Sequence, residues 1–424
     1  MLPHDDSDLV FDVLGRSHFR DQRKPYNANG FHLNLGVSMK KAYVVISVVI
    51  IALIAFPIGY IILSQPSSPS QEGPYGTPTS TDGETLKYKT ASFIDTEGIG
   101  TKAFTMLIPS DWQSEGSITW IYDNPAMPVA GEFRAWNPNG KEEFHLFPNQ
   151  AFFWSNNPMI EQTFPPGSKY FGATVKTPLG PIEALKEIAL NKFRSNVDNL
   201  QVVSGENLPN VANSFQTGTD QATGVVTSAE AGKIRVEYTL NGVQMEEEFY
   251  CVIQTQDIPV PTLYGTTRNI NWYMTYLESF LAEKGKLDID AKTFQTISYF
   301  ARTDINWLNK YTQVVNYLIQ RQIQQIQNLG QLSSIVSQTS NDISDANYDA
   351  WQRDQNIKDK LADDFSNSIL GVQSYNNPLD GSSVELPSGY SNVWTNSLGE
   401  YILSDIPSYN PNLESNLNWQ QMSP

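Results

Sequence analysis

Proton transfer, nucleophilic attack and metal binding depend on a few side-chain types, and this 424-residue chain is poor in two of them, with four histidines and one cysteine. His4, His18 and His32 stand near the N-terminus, which leaves His145, in "EEFHLF", for the main body. A general acid or base needs a partner within hydrogen-bond reach. Strand alternation sets His145 opposite Phe144, and a surface or internally bonded histidine is the simpler expectation. Cys251 stands between Tyr250 and Val252. As a nucleophile it would need a neighbouring base, whereas as a small buried apolar side chain it needs nothing. Histidine and cysteine together are too few for a zinc set. No GxSxG elbow, Walker loop or HExxH pair occurs, and no cofactor is implied.

Carboxylates are plentiful, so glycosidase-type chemistry by two facing acids stays open. Glu246, Glu247 and Glu248 form the densest set. On a strand they alternate faces, and a solvated hairpin edge is the expectation. "NNPLDGSSVE" offers Asn376, Asp380 and Glu385 as oxygen ligands in a turn, a candidate calcium loop without EF-hand spacing. Trp120, Trp136 and Trp154 could stack on sugar rings if exposed, and at strand positions they are otherwise core.

The elements that must position these residues begin beyond an apolar run. Residues 42–63, "AYVVISVVIIALIAFPIGYIIL", carry no charge and have the length of a transmembrane helix. The run exceeds the apolar core of a cleaved signal peptide, so an uncleaved anchor is expected. Lys40 and Lys41 abut its N-terminal end, and the next basic residue on the other side is Lys87. Positive charge stays with the cytoplasm, so the bulk of the chain is expected outside. Residues 1–41 read as a cytoplasmic tail. Because "MKK" before an apolar run opens many exported prokaryotic chains, translation from Met39 is an alternative that would leave 1–38 untranslated.

The net charge is −17, with 28 Lys+Arg against 45 Asp+Glu. Six of those basic residues and five of the acidic ones precede residue 65, so the outer part is strongly acidic. Such a surface repels polyphosphate, and nucleic acid is not an expected partner. A single cysteine allows no internal disulfide, so stability must come from packing.

Residues 64–85 are rich in Ser, Pro, Gly and Thr and read as a flexible stalk. From Lys87 short apolar runs bounded by turn residues predict antiparallel strands, with Asn139-Gly140 as a turn. "GPIEALKEIALNKFRSNV" has helical periodicity, with Pro181 suited to the first turn. "LQVVSGE" reads as a strand, and "KIRVEYTLNGVQMEEEFYCVIQT" as a hairpin about Asn241-Gly242. "NINWYMTYLESFLAEKGKL" fits either period: Ile270, Tyr273, Leu277 and Leu281 suit a helix, while its Trp, Tyr and Thr content suits a strand, the reading adopted here. A short helix around Phe294, Ile297 and Phe300 follows. Asp304 then caps a long helix with Leu308, Val315, Leu318, Ile319, Ile323 and Ile326 on one stripe, and a second helix carries Trp351 and Leu361. Val393 to Leu403 reads as a terminal hairpin.

The segment from Lys87 to Phe300 resembles the PsbP/Mog1-type α/β sandwich. The resemblance is carried by "FTMLIPSDW" from Phe104 to Trp112 in a strand-rich opening and by "FQTISYFA" from Phe294 to Ala301 as a closing helix. It implies an antiparallel sheet covered by helices, serving as an extracytoplasmic accessory or binding module without catalysis. The expected class is therefore α+β: a transmembrane helix (42–63), a stalk (64–85), a sandwich (86–301), a helical hairpin or arm (302–371) and a small C-terminal β segment (372–424). The expected role is a membrane-anchored binding or scaffold protein. Its helices at 304–370 would meet a protein partner or a second copy, or else fold back over the sheet. A cell-wall glycan is the other candidate partner, with a polysaccharide-acting enzyme as the alternative function.

Overall fold

Runs of β-branched and aromatic residues punctuated by turn formers dominate the chain after residue 84, and they pair into two large antiparallel sheets. The computed structural model describes residues 85–424 apart from Ala126, Leu263, Tyr264, Gln322 and residues 366–370. The expected tail, span and stalk up to residue 84, with the choice between Met1 and Met39, lie outside the described residues. Among the described residues no helix is long and apolar enough to cross a membrane.

The first strands are β1 (Thr85–Ile94), β2 (Lys102–Pro109), β3 (Gln113–Trp120), β4 (Val129–Trp136), β5 (Glu143–Leu146) and β6 (Gln150–Ser155). Then come α1 (Pro158–Thr163), β7 (Lys169–Tyr170), β8 (Ala173–Val175) and α2, a helical stretch over residues 181–193 with a π-turn at Leu185–Leu190. The middle holds β9 (Asp198–Asn207), α3 (Pro209–Ala212), β10 (Gly218–Thr219) and the long strands β11 (Val226–Leu240), β12 (Val243–Thr262) and β13 (Gly265–Glu283). After them come α4 (Ala291–Tyr299), β14 (Arg302–Thr303), α5 (Ile305–Gln320), α6 (Leu329–Val336) and α7 (Asp345–Phe365). The chain closes with β15 (Val372–Asn376), β16 (Ser383–Pro387), β17 (Asn392–Thr395), β18 (Glu400–Ser404) and β19 (Gln420–Gln421).

The α+β expectation is overturned, because 42% of the described residues are strand and 24% helix. Strands β12 and β13 run for 20 and 19 residues, well beyond the spans expected. Within the expected C-terminal β segment, residues 372–376 pair with 383–387 as a hairpin additional to the one expected at Val393 to Leu403. The larger sheet runs β10-β11-β12-β13-β5-β4-β3, with β9 on β11 and β6 on β13. Asn241 and Gly242, at φ 52° and 79°, make the tight turn between β11 and β12 that the Asn-Gly pair predicts. Helix α2 covers one face of this sheet, burying Ala184, Leu185, Ala189 and Leu190 against Ile234, Phe249 and Trp272. On the other face Phe133, Phe144 and Phe280 pack with residues of α4, α5, α6 and α7.

The C-terminal segment is not a separate appendage. The smaller sheet is ordered β14-β2-β1-β18-β17-β19, so β18 lies against β1 with Tyr88 opposite Tyr401. An unpaired β1 edge would leave a row of backbone donors and acceptors open, and β18 satisfies them while burying Leu403.

The helical region is not a projecting arm. Asp304 does cap α5, its Oδ1 accepting from the Asn306 and Trp307 amides. The expected long helix stops at Gln320, however, because Ile326 is drawn into the core (1% exposed) and its amide donates to the Tyr122 carbonyl at 2.7 Å. Trp307, Val314, Leu318, Ile357 and Leu361 are all buried in the same core, so the region folds back over the sheet. Packing of the amphipathic face outweighs the local helical periodicity that ran on to Ile326.

Candidate functional site

One discontinuity in the larger sheet creates the site. Tyr250 pairs with Glu278 and Val252 with Thr275, so Tyr276 and Leu277 together oppose the single residue Cys251. This is a β-bulge, and Tyr276 takes φ +48°, a conformation a bulky residue rarely adopts. The bulge shifts the alternation of β13 by one: Met274 and Leu277 both face the core under α2, whereas Thr275 and Tyr276 both line a cavity on the opposite side.

That cavity, about 250 Å³ and half open to solvent, lies between the sheet and helices α5 and α7. Its walls are aromatic. Phe104 stacks on Phe133 at 4.2 Å and Trp307 on Tyr311 at 5.1 Å, and all four line it. Trp307 is held from behind by Asp95, a fully buried carboxylate whose Oδ2 accepts from Trp307 Nε1 at 2.8 Å. Asp95 also accepts from the Gly98 and Ile99 amides and from Trp120 Nε1. A Cβ at Gly98 would overlap the Trp120 indole, so glycine is required at that approach.

The polar end comes from β12, β13 and α7. Asp354 and Lys358 are four apart on α7 and therefore share a face, next to the buried pair Ile357 and Leu361. Tyr276 Oη donates to Asp354 Oδ1 at 2.8 Å, and burial with the Asp354 charge pushes the phenol well above its ordinary pKa. Gln254 Nε2 donates to Thr275 Oγ1 at 2.8 Å. Lys358 is 7% exposed. Its Nζ donates to the Ala301 carbonyl at 2.7 Å and lies 4.7 Å from the Phe104 ring centroid. Burial and the Arg302 charge lower its pKa, while Asp354, Glu278 and Asp359 oppose that shift. Glu278, buried beside this cluster and accepting from Ser298 Oγ at 3.0 Å, is pushed by desolvation up to about 7.

The residues singled out in the sequence lie mostly elsewhere. Trp120 is 5% exposed with its indole nitrogen on Asp95, so it offers no face to a sugar. Trp136 is half-buried under the Arg134 guanidinium, 4.8 Å from its ring, and Trp154 is half-buried on β6 opposite Ile270. Asn376 lies opposite Ser383 and Glu385 opposite Ser374, while Asp380, in the intervening turn, already accepts from the Ser382 amide and hydroxyl. Among the described residues no group of three or more His, Cys, Asp or Glu could hold a metal. Cys251 is fully buried behind the bulge, and burial pushes its thiol far up.

His145 stacks on Phe147 at 3.8 Å and shares a 2.9 Å hydrogen bond with Glu132. Burial, with the Arg194 and Arg134 charges, pushes it down to about 3, so it is neutral at physiological pH.

The glutamate trio is not a solvated edge. Glu247 is fully buried and accepts from Arg194 Nε and Nη2, at 2.7 and 2.5 Å, and from the Tyr238 hydroxyl at 2.7 Å. On the opposite face Arg235 bridges Glu246, Glu248 and Asp288, and Tyr250 donates to Glu248. The alternation was legible in sequence, but the arginines that neutralise each face come from the residue capping the end of α2, Arg194, and from β11.

Sequence reasoning did not single out Tyr276, Asp354, Lys358, Glu278 or Asp95. The one signal present was the Asp354/Lys358 pair at i, i+4 beside an apolar stripe. No family model matches the chain, and no curated protein matches it.

Proposed function

We propose that the chain is a single-pass, membrane-anchored extracytoplasmic binding protein whose ligand seat is the cavity between the sheet and helices α5 and α7. The observation that carries this reading is the cavity itself. A pocket of about 250 Å³ opens among aromatic side chains, beside a residue in a strained conformation and a small set of convergent polar groups, the combination that small-molecule seats use. The anchor at 42–63 and Lys40 and Lys41 before it support the placement outside the cytoplasm. The resemblance of Lys87 to Phe300 to PsbP/Mog1-type modules supports an accessory, non-catalytic role.

Two measurements test the reading. Protease added to intact cells should degrade the body of the chain and spare a tagged N-terminus; the reverse pattern would overturn the orientation. The full chain in lipid nanodiscs should bind a small neutral aromatic, 4-fluorobenzyl alcohol, in a fluorine NMR titration blanked against empty nanodiscs. Leu308→Trp, which fills the cavity from α5, should abolish that binding. Equal binding by the variant would place the ligand elsewhere.

A further inference from the structure

Resting on that reading, we propose that the cavity binds a small organic monocarboxylate, its apolar body between the Phe104–Phe133 and Trp307–Tyr311 pairs and its carboxylate on the Lys358 ammonium.

Asp354 has both oxygens engaged, Oδ1 by Tyr276 at 2.8 Å and Oδ2 by Gln355 Nε2 at 3.3 Å. Arg302 is committed to Asp359 and to the Gln355 carbonyl. Lys358 differs: its ammonium has three donors, one of which goes to the Ala301 carbonyl, and among the described residues no carboxylate is ion-paired with it. Lys358 as a residue is 7% exposed, and the nearby Asp354, Glu278 and Asp359 charges offset the burial of its ammonium only in part. An anion entering the cavity that Lys358 lines supplies the rest of that compensation in a low-dielectric setting, where a charge-assisted hydrogen bond is strongest.

Charge number and size narrow the class. With Arg302 already paired, one cation faces the ligand, and the chain as a whole carries −17. Both favour a monoanion over a phosphate ester or other polyanion. A volume of about 250 Å³, just below the usual range of small-molecule pockets, suits a ligand of about ten non-hydrogen atoms. Flat aromatic walls and a single cationic end match a ring or short alkyl chain ending in a carboxylate.

The test uses the full chain in nanodiscs and two probes of nearly equal shape, 4-fluorobenzoate and 4-fluorobenzyl alcohol, each titrated by fluorine NMR. The wild-type chain is expected to bind the carboxylate at least tenfold more tightly than the alcohol. Lys358→Met keeps the stem and removes the charge. It should lower carboxylate affinity at least tenfold while changing alcohol affinity less than about twofold, and Leu308→Trp should remove both. Thermal melting checks that each variant folds, and the wild-type comparison of the two probes needs no variant. If the alcohol binds, Leu308→Trp removes it and the carboxylate binds no more tightly, the monocarboxylate inference is overturned while the binding-protein reading stands. Carboxylate binding that survives Leu308→Trp also overturns the inference, because the site is then elsewhere. If neither probe binds, both readings fall.

Discussion

Tyr276 Oη donates a 2.8 Å hydrogen bond to Asp354 Oδ1 across 78 positions of sequence, tying the bulge of β13 to the middle of α7. It is the contact through which a strained strand residue fixes the helix that carries Lys358. A double-mutant cycle with Tyr276→Phe and Asp354→Ala, read by urea unfolding, should give a coupling energy of about 1.5–3 kcal/mol, the range for a hydrogen bond to a charged acceptor. A coupling near zero would show that α7 is held by its apolar stripe and its other polar contacts, Lys358 on the Ala301 carbonyl and Asp359 on Arg302 among them.

Breaking the Arg194–Glu247 pair should be expensive, since Glu247 has no exposure and would be left uncompensated. Arg194→Met or Glu247→Gln alone is expected to cost about 3–5 kcal/mol in chemical denaturation. Replacing both by methionine should cost less than either single change, because no unpaired charge then remains. A double variant as damaged as the sum of the two would contradict this account.

Glu278 makes stability depend on pH in a defined direction. Its native carboxyl, raised from 4.5 to about 7 by burial, keeps a proton that the unfolded chain has lost. Between those values the native state binds more protons, so this group's contribution falls as the pH rises. Ser298 and the Lys358 charge oppose the shift without cancelling it. Glu278→Gln should therefore gain in melting temperature relative to wild type on going from pH 5 to pH 8, and a constant difference across that range would count against the buried acid.

His145 acts with the opposite sense. Its native value, pushed from 6.5 down to about 3, leaves the unfolded state with more protons between those limits. Its contribution is present above about 6.5 and is lost as the pH falls toward about 3. His145→Gln should show a shallower loss of stability than wild type from pH 6.5 to pH 4 in thermal melts.

The C-terminal strands predict a large effect from a distant residue. Leu403 on β18 has no exposure and packs with Tyr88 and Leu107, so Leu403→Ala should cost about 2–5 kcal/mol in the main unfolding transition. A separable C-terminal segment would instead melt on its own and leave that transition unmoved.

Local signals carried the sequence analysis a long way. Asn241-Gly242, Pro181 and Asp304 each dictate a backbone event through their own side chain or its absence, and each event lies where expected. The extension of "NINWYMTYLES" was harder to read for a reason the bulge explains. A one-residue phase shift turns a two-residue period into spacings of three and four, so Met274, Leu277 and Leu281, which share the face under α2, imitate a helix. The site residues were illegible because none is distinctive by itself. Tyr276 matters through its left-handed backbone, and Lys358 through its burial and the absence of an ion-paired carboxylate among the described residues. Asp95 matters through two indoles that arrive from 25 and 212 positions away.

Periodicity and turn chemistry act over a few residues, so pattern alone sufficed for the presence of strands at β3, β4, β5, β9, β11, β12 and β13, though not for the lengths of β12 and β13 or for β6, and for the helix over 181–193 and the cap at Asp304. Long-range pairing depends on which distant surfaces bury the most apolar area together. That competition sets β18 beside β1, folds residues 305–365 onto the sheet, and leaves between them the cavity where Tyr276, Asp354 and Lys358 converge.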